Sequence, residues 1–144
     1  MKPLAALVAL ALVPAALRAQ TAFPMVTHVT PTAVQRGTTA EVTVVAQAST
    51  LAGAHKVLFD GTGVSAEPVA AADAKTSLKL KVTVAADAAP GVREFRVACP
   101  HGVSSLGQLV VVDAPVVQEA PGNNTPDKAQ PIPVPSVVRM TRPD

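Results

Sequence analysis

Residues Ser77 to Val84 read SLKLKVTV. Leu78, Leu80, Val82 and Val84 alternate with Lys79, Lys81 and Thr83. A period of two places the apolar side chains on one face of an extended strand and the polar ones on the other. A helix would scatter the same residues around its whole circumference. A sheet that is wet on one face must bury the other against a second layer. This one segment therefore asks for an all-β fold with at least two layers.

The pattern recurs. In Thr39 to Ala46, Ala40, Val42, Val44 and Ala46 oppose Glu41, Thr43 and Val45. In Gly91 to Cys99, Phe95, Val97 and Cys99 oppose Glu94, Arg96 and Ala98. Lys56 to Phe59 and Gln108 to Val112 are shorter and more continuously apolar, which suits strands buried on both sides or at the centre of the core. Met25 to Thr30 reads as the first strand. Arg36-Gly37, Asp60-Gly61-Thr62-Gly63, Pro90-Gly91 and Pro100-His101-Gly102 supply the turns, with Pro presetting φ and Gly accepting positive φ. Val69 to Lys75, behind Pro68, is expected to form a turn or two of helix. No convincing 3.6-residue period appears after the first twenty residues. Short strands at regular spacing with such turns predict a β-sandwich.

Residues 1–19 are expected to be a secretory signal peptide. Lys2 gives a basic start, Leu4 to Leu17 is apolar, and Leu17-Arg18-Ala19 ends on a small residue. The run is short for a membrane span, so no stable span is expected after cleavage. Cleavage removes Lys2 and Arg18 and leaves ten basic against ten acidic residues. A neutral chain without a basic cluster lacks the footprint of a nucleic-acid binder. The single cysteine allows no intramolecular disulfide, so the fold rests on its core. The only aromatic residues are Phe23, Phe59 and Phe95. Stacking platforms for sugars, bases or quaternary amines need more aromatic faces than that.

Residues 20–113 read as one sandwich. Beyond it, residues 113–144 hold seven of the fourteen prolines. Proline removes backbone donors and pins φ, so 114–144 reads as an extended linker rather than a second core.

Three stretches, "PMVTHVTPTAVQRGTTAEVTVVA" (Pro24 to Ala46), "LAGAHKVLFDGTGV" (Leu51 to Val64) and "VTVAADAAPGVREFRVACPHGVSS" (Val82 to Ser105), together resemble the IPT/TIG-type immunoglobulin-like domain of bacterial secreted proteins. The shared features are a proline-flanked first strand, a glycine before the second, a V-x-F strand with a glycine turn, and an APG…F-x-V strand. "EAPGNNTPDKAQPIPVP" (Glu119 to Pro135) resembles the opening of a bacterial pre-peptidase C-terminal domain. That family continues with a G-x-I strand and an Asp-rich strand, which "VVRMTRPD" does not supply. The first resemblance implies an immunoglobulin-like β-sandwich. The second implies the start of a truncated second β-domain.

The candidate sites are few. Cys99 and His101 can chelate a metal only if other ligands converge. Parity instead puts Cys99 inward as a small hydrophobe, with His101 at a turn tip. His28 and His55 have no carboxylates at ligand spacing. "FDGTGVS" (Phe59 to Ser65) resembles an aspartic-peptidase Asp-Thr-Gly, but Gly61 interrupts it and one copy gives one carboxylate. Ser104 and Ser105 lie near His101 without a nucleophile elbow or an acidic partner. Lys79 and Lys81 read as a solvated face. Asn123, Asn124 and Asp127 offer too few oxygens for calcium, and Asn123-Asn124-Thr125 is a formal glycosylation sequon.

These readings predict a non-enzyme with no catalytic, cofactor or metal site. The expected role is a secreted, periplasmic or cell-surface spacer, docking or adhesion module that meets a protein or cell-surface partner. The alternative is the N-terminal accessory region of a larger secreted peptidase-like protein.

Overall fold

The computed structural model describes residues 23–71, 74–100 and 102–140. The signal segment 1–19 and His101 lie outside them. Nine strands form the sandwich: β1 (Met25–Thr30), β2 (Ala33–Gln35), β3 (Thr39–Gln47), β4 (Lys56–Phe59), β5 (Val64–Val69), β6 (Ser77–Val84), β7 (Gly91–Cys99), β8 (Gly102–Val103) and β9 (Gly107–Val112). One sheet runs β1-β3-β6-β5 and the other β2-β9-β7-β4, with β8 also on β7. Antiparallel pairs join all of them except β2 and β9, which are parallel. The chain leaves the first sheet after Thr30 and joins the second at Ala33. Relabelled in chain order, this is the immunoglobulin-like arrangement, A-B-E-D against C-F-G, with β2 laid beside the last strand.

The period-two segments behave as their sequences demand. Along β6 burial alternates at every residue, and Leu78, Leu80, Val82 and Val84 are each at most 2% exposed. Val42, Val44 and Ala46 of β3 join them from the next strand. From the second sheet come Phe95, Val97 and Cys99 of β7 with Leu109 and Val111 of β9. Phe95 is the one large ring fully inside, tilted 40° against Phe59 at a centroid distance of 5.4 Å. Its rim lies so close to Gly107 that a Cβ there would stand 2.5 Å from Cζ. Glycine at the start of β9 is therefore a packing requirement, set by the only buried aromatic side chain.

Two expectations are corrected. Lys56 to Phe59 is not buried on both sides. It is the edge strand of its sheet, and Leu58 points outward at 43% exposure. Likewise β9 buries one face only, with Gln108 exposed. The runs look continuously apolar because Leu58 on β4 and Val110 and Val112 on β9 lie on the outer face, beside exposed Lys56 and Gln108. The helix expected from Val69 does not begin there. Val64–Val69 is β5, paired to β6 through Pro68↔Leu80 and Val69↔Lys79. An edge strand tolerates a proline because one side of it has no ladder to complete.

The segment after the sandwich is more ordered than an extended linker. β10 (Val116–Gln118) and β11 (Val137–Arg139) pair in parallel. A single 3₁₀ turn, Pro126–Lys128, lies between them. The Gln130 side chain ties the connection back: its Oε1 accepts from the Ala120 N–H at 2.6 Å and its Nε2 donates to the Gln118 carbonyl at 3.1 Å.

The two ends of the sandwich are distinct. At the proximal end the Ser105 N–H donates to the Pro24 carbonyl (2.9 Å) just before β1 begins. β1, β2 and β9 all run away from that end, since β2 and β9 are parallel. At the distal end Arg36 Nε meets Asp113 Oδ1 at 2.7 Å, and Gln35 Nε2 donates to the Asp113 carbonyl at 3.1 Å. The chain thus enters and leaves at opposite ends.

Replacing Gly107 with alanine should cost about 1–3 kcal/mol, because the added methyl can be housed only by displacing Phe95. Urea denaturation measures it. An unchanged midpoint would show that Phe95 does not depend on the glycine.

Candidate functional site

The residues with chemical potential sit mostly at the proximal end, where β7 turns through β8 into β9. Cys99 is buried at 6% exposure. Its Sγ–H faces two carbonyls, Gly102 at 3.1 Å and Thr50 at 3.8 Å. Thr50 is itself engaged, accepting from the Ala52 N–H (3.0 Å) and donating to the Ala74 carbonyl (3.2 Å). Parity placed Cys99 correctly, and the hydrogen bonds add that its thiol closes a loop. His101, its expected neighbour at the turn, lies outside the described residues.

Ser104 is the only fully buried polar side chain among the described residues. Its Oγ accepts from the Val97 N–H at 2.9 Å and donates to the Ser105 carbonyl at 2.8 Å. Ser105 Oγ accepts from the Val26 N–H at 2.8 Å. Arg96 Nη1 donates to the Ser104 carbonyl at 2.9 Å. Both hydroxyls therefore replace missing ladder bonds where β8 gives way to β9 and where β1 begins. His28, on β1, meets Thr30 Oγ1 through Nε2 at 2.5 Å and does not approach Ser104 by any hydrogen bond.

At the distal end the Asp60–Gly63 turn is fixed by the Asp60 N–H on the Glu94 carbonyl (2.8 Å), with φ of +77° at Gly61 and +84° at Gly63. A Cβ at Gly63 would lie 2.8 Å from that of Ala88, so this glycine serves both conformation and close approach. An open depression of about 480 Å³ separates the turn from Asp87–Ala89 and has Arg93 in its lining. The Arg93 guanidinium is spent on the backbone, donating to the Ala89 carbonyl at 2.5 Å and the Val92 carbonyl at 3.1 Å. Its Nε is buried without a partner. The lining holds the Asp87 carboxylate but not Asp60, so it does not bring together the two carboxylates that peptide hydrolysis by an aspartyl pair would need.

Lys79 pairs with Glu41 at 2.8 Å on the exposed face, beside Lys81, as a solvated strand face should. Asn123 and Asn124 line a depression of about 530 Å³ with Gln118 and Arg139, while Asp127 lies in the 3₁₀ turn outside that lining. Among the described residues no three His, Cys, Asp or Glu side chains gather as a metal site. Periodicity gave no sign of what Arg96 and Ser104 do, because their partners are backbone groups several residues away.

The sequence matches no protein-family model and no curated protein. Among solved structures it is similar to domains 4 and 5 of the S-layer protein SbsC, at 16% identity and a TM-score of 0.41 over 62% of this chain. The match covers 53% of the SbsC chain, so this protein spans about half of that structure. It is also similar to the Bacteroides ovatus mixed-linkage glucan utilization locus protein SGBP-B, solved with a mixed-linkage heptasaccharide. There the identity is 19% and the TM-score 0.45, over 67% of this chain and 24% of that one. The twitchin kinase region from C. elegans aligns over 62% of this chain and 15% of its own, at 11% identity and a TM-score of 0.31. The chain is an immunoglobulin-like β-sandwich, as its strand order already requires.

Ser104→Ala should destabilise the protein by about 1–3 kcal/mol, because the buried Val97 N–H then loses its acceptor. Thermal and denaturant unfolding measure the loss. A neutral substitution would mean that this hydroxyl is free for another task.

Proposed function

We propose that this chain is a non-catalytic spacer and docking module of a secreted, periplasmic or cell-surface protein. In this reading residues 1–19 direct export, 20–113 form the rigid unit and 114–144 carry the connection onward. The observation that supports it best is the placement of the two chain ends. A strand enters at Pro24 and the last one leaves at Asp113, at opposite poles of the sandwich. Six residues of β9 span roughly 20 Å at the rise of an extended strand. The exit at Asp113 therefore stands roughly that far from the entry at Pro24.

The exit is braced. Arg36 and Gln35, at the end of β2, both hold Asp113. Pro115 follows two residues later and fixes its own φ. A spacer needs this kind of joint, because a freely hinged exit would randomise the direction of the next segment.

The polar chemistry supports the same reading. Cys99, Ser104, Ser105 and Thr50 all bond to the backbone, and no base approaches either serine among the described residues. No helix among the described residues is long and apolar enough to cross a membrane. The partners that suit such a module are proteins or cell-surface polymers, met through loops or sheet faces.

Small-angle scattering of the full chain after signal removal tests the arrangement. The expected profile is elongated, with residues 114–144 extending from the distal pole. Arg36→Ala should broaden the distribution of end-to-end distances while the melting temperature barely moves, since an exposed ion pair contributes only about 0–1 kcal/mol. A compact profile with the tail folded back along the sandwich would overturn the spacer reading. So would turnover of peptide, ester or glycoside substrates by the purified chain.

A further inference from the structure

The outer faces of the two sheets differ in kind. On β1-β3-β6-β5, Glu41 and Glu67 both stand opposite Lys81 across the ladder, and Glu41 also pairs with Lys79. Opposite charges are thus interleaved on that face, and Lys79 and Glu41 form an ion pair within it. The outer face of β2-β9-β7-β4 carries Val92, Leu58 and Val103 at 56%, 43% and 44% exposure. Half-buried Val110 and Ala98 extend the two apolar areas, as the ladder sets Val92 beside Val110 and Ala98 beside Val103. Between them, two apart on β7 and pointing the same way, stand Glu94 and Arg96. Neither has an ion-pair partner among the described residues. Glu94 receives only a long contact from Gln108 Nε2 (3.4 Å), and Arg96 offers one nitrogen to the Ser104 carbonyl.

Along β7 the outward residues Val92, Glu94, Arg96 and Ala98 run apolar, acidic, basic, apolar, with the exposed Lys56 of β4 beside Ala98. Such a sequence is complementary to its own reverse. We infer that the outer face of β2-β9-β7-β4 is a two-fold interface between two copies of this chain. A two-fold axis lying in the interface and crossing β7 at the level of Phe95 sets Glu94 of each copy opposite Arg96 of the other. The same axis sets Val92 opposite Ala98 and Val110 opposite Val103. An isologous contact requires that each residue and its partner exchange roles, and the pattern meets that requirement. The chain without residues 1–19 carries equal numbers of basic and acidic residues, so no net repulsion opposes pairing. Sheets stack face to face about 10 Å apart with strands within about 30° of one another. The face is four strands wide, roughly 20 Å on a side by strand spacing, which puts this pair at the small, weak end of protein interfaces. The inference goes beyond the spacer reading and stands without it.

Sedimentation velocity of the full chain after signal removal, from about 5 to 500 µM, tests it. The expected result is a reversible dimer that weakens as salt is raised, because facing charges are screened. Glu94→Arg and Arg96→Glu should each lower the association constant at least about 10-fold, since like charges then face one another. An equimolar mixture of those two variants should dimerise again, one bringing two arginines and the other two glutamates. Val92→Asp, at an exposed position, gives an arm that leaves the Arg96–Ser104 bond intact; it should be monomeric with an unchanged melting temperature. A wild-type chain that stays monomeric overturns the inference, even if a glycan or peptide proves to bind this face. It is equally overturned by a Val92→Asp dimer of wild-type strength, or by folded charge variants whose mixture stays monomeric.

Discussion

Everything in this fold depends on one dry seam between two sheets, filled almost wholly by valine, leucine and alanine. With no disulfide available and one aromatic ring fully inside, no other source of cohesion exists at comparable scale. Burying each valine or leucine side chain contributes about 1.5–3 kcal/mol, so stability here is distributed rather than anchored. Distribution demands uniform thickness. Small β-branched side chains give it, and Phe95 is the exception that must be accommodated. The accommodation is Gly107, whose missing Cβ is where the ring rim lies. The polar residues at the poles follow from the same seam. Where strands stop pairing, buried N–H groups at Val97 and Val26 need acceptors, and Ser104 and Ser105 supply them.

Much of this was legible in the sequence because a half-wet strand writes its orientation into alternate letters. β6 is the clearest case, and β3 and β7 follow it. Cys99 was placed inward by counting from Phe95 and Val97. What was not legible lacks contrast between its two faces. β5 reads VSAEPV, with two small residues and a proline, and its burial alternates only between half-buried and exposed. β2, β10 and β11 are three residues each, too short to show a period. β4 and β9 misled in the opposite direction. Their outward positions include Leu58 and Val110, so apolar letters stand on both faces although only one is buried. That error has content, since an apolar outer face on a strand that is not internal marks a surface built for contact.

The candidate sites divided for a different reason. Sequence shows which functional groups exist, but not how much of their bonding capacity the backbone consumes. Ser104 resembled a free hydroxyl in a loop, yet both its donor and its acceptor are committed. Arg93 likewise spends two nitrogens on the carbonyls of Ala89 and Val92. Arg96 keeps more of its guanidinium available, and Glu94 keeps nearly all of its carboxylate. The useful distinction is between polar groups already satisfied and those still unpaired, and only coordinates make it.

Polarity of the chain and polarity of the face then combine. A two-fold crossing β7 at Phe95 reverses strand direction between copies, so the distal pole of one sandwich lies beside the proximal pole of the other. Each copy sends its connection out from the distal pole, past the joint that Arg36 and Gln35 make with Asp113. The two connections therefore leave in opposite directions. A single copy holds one segment at a distance, whereas a pair joined through this face spans between two. Because the face is small and its central contacts are charged, that span forms where local concentration is high and yields where salt is high. Under the proposed spacer role, pairing that depends on crowding suits a surface at which many copies stand side by side.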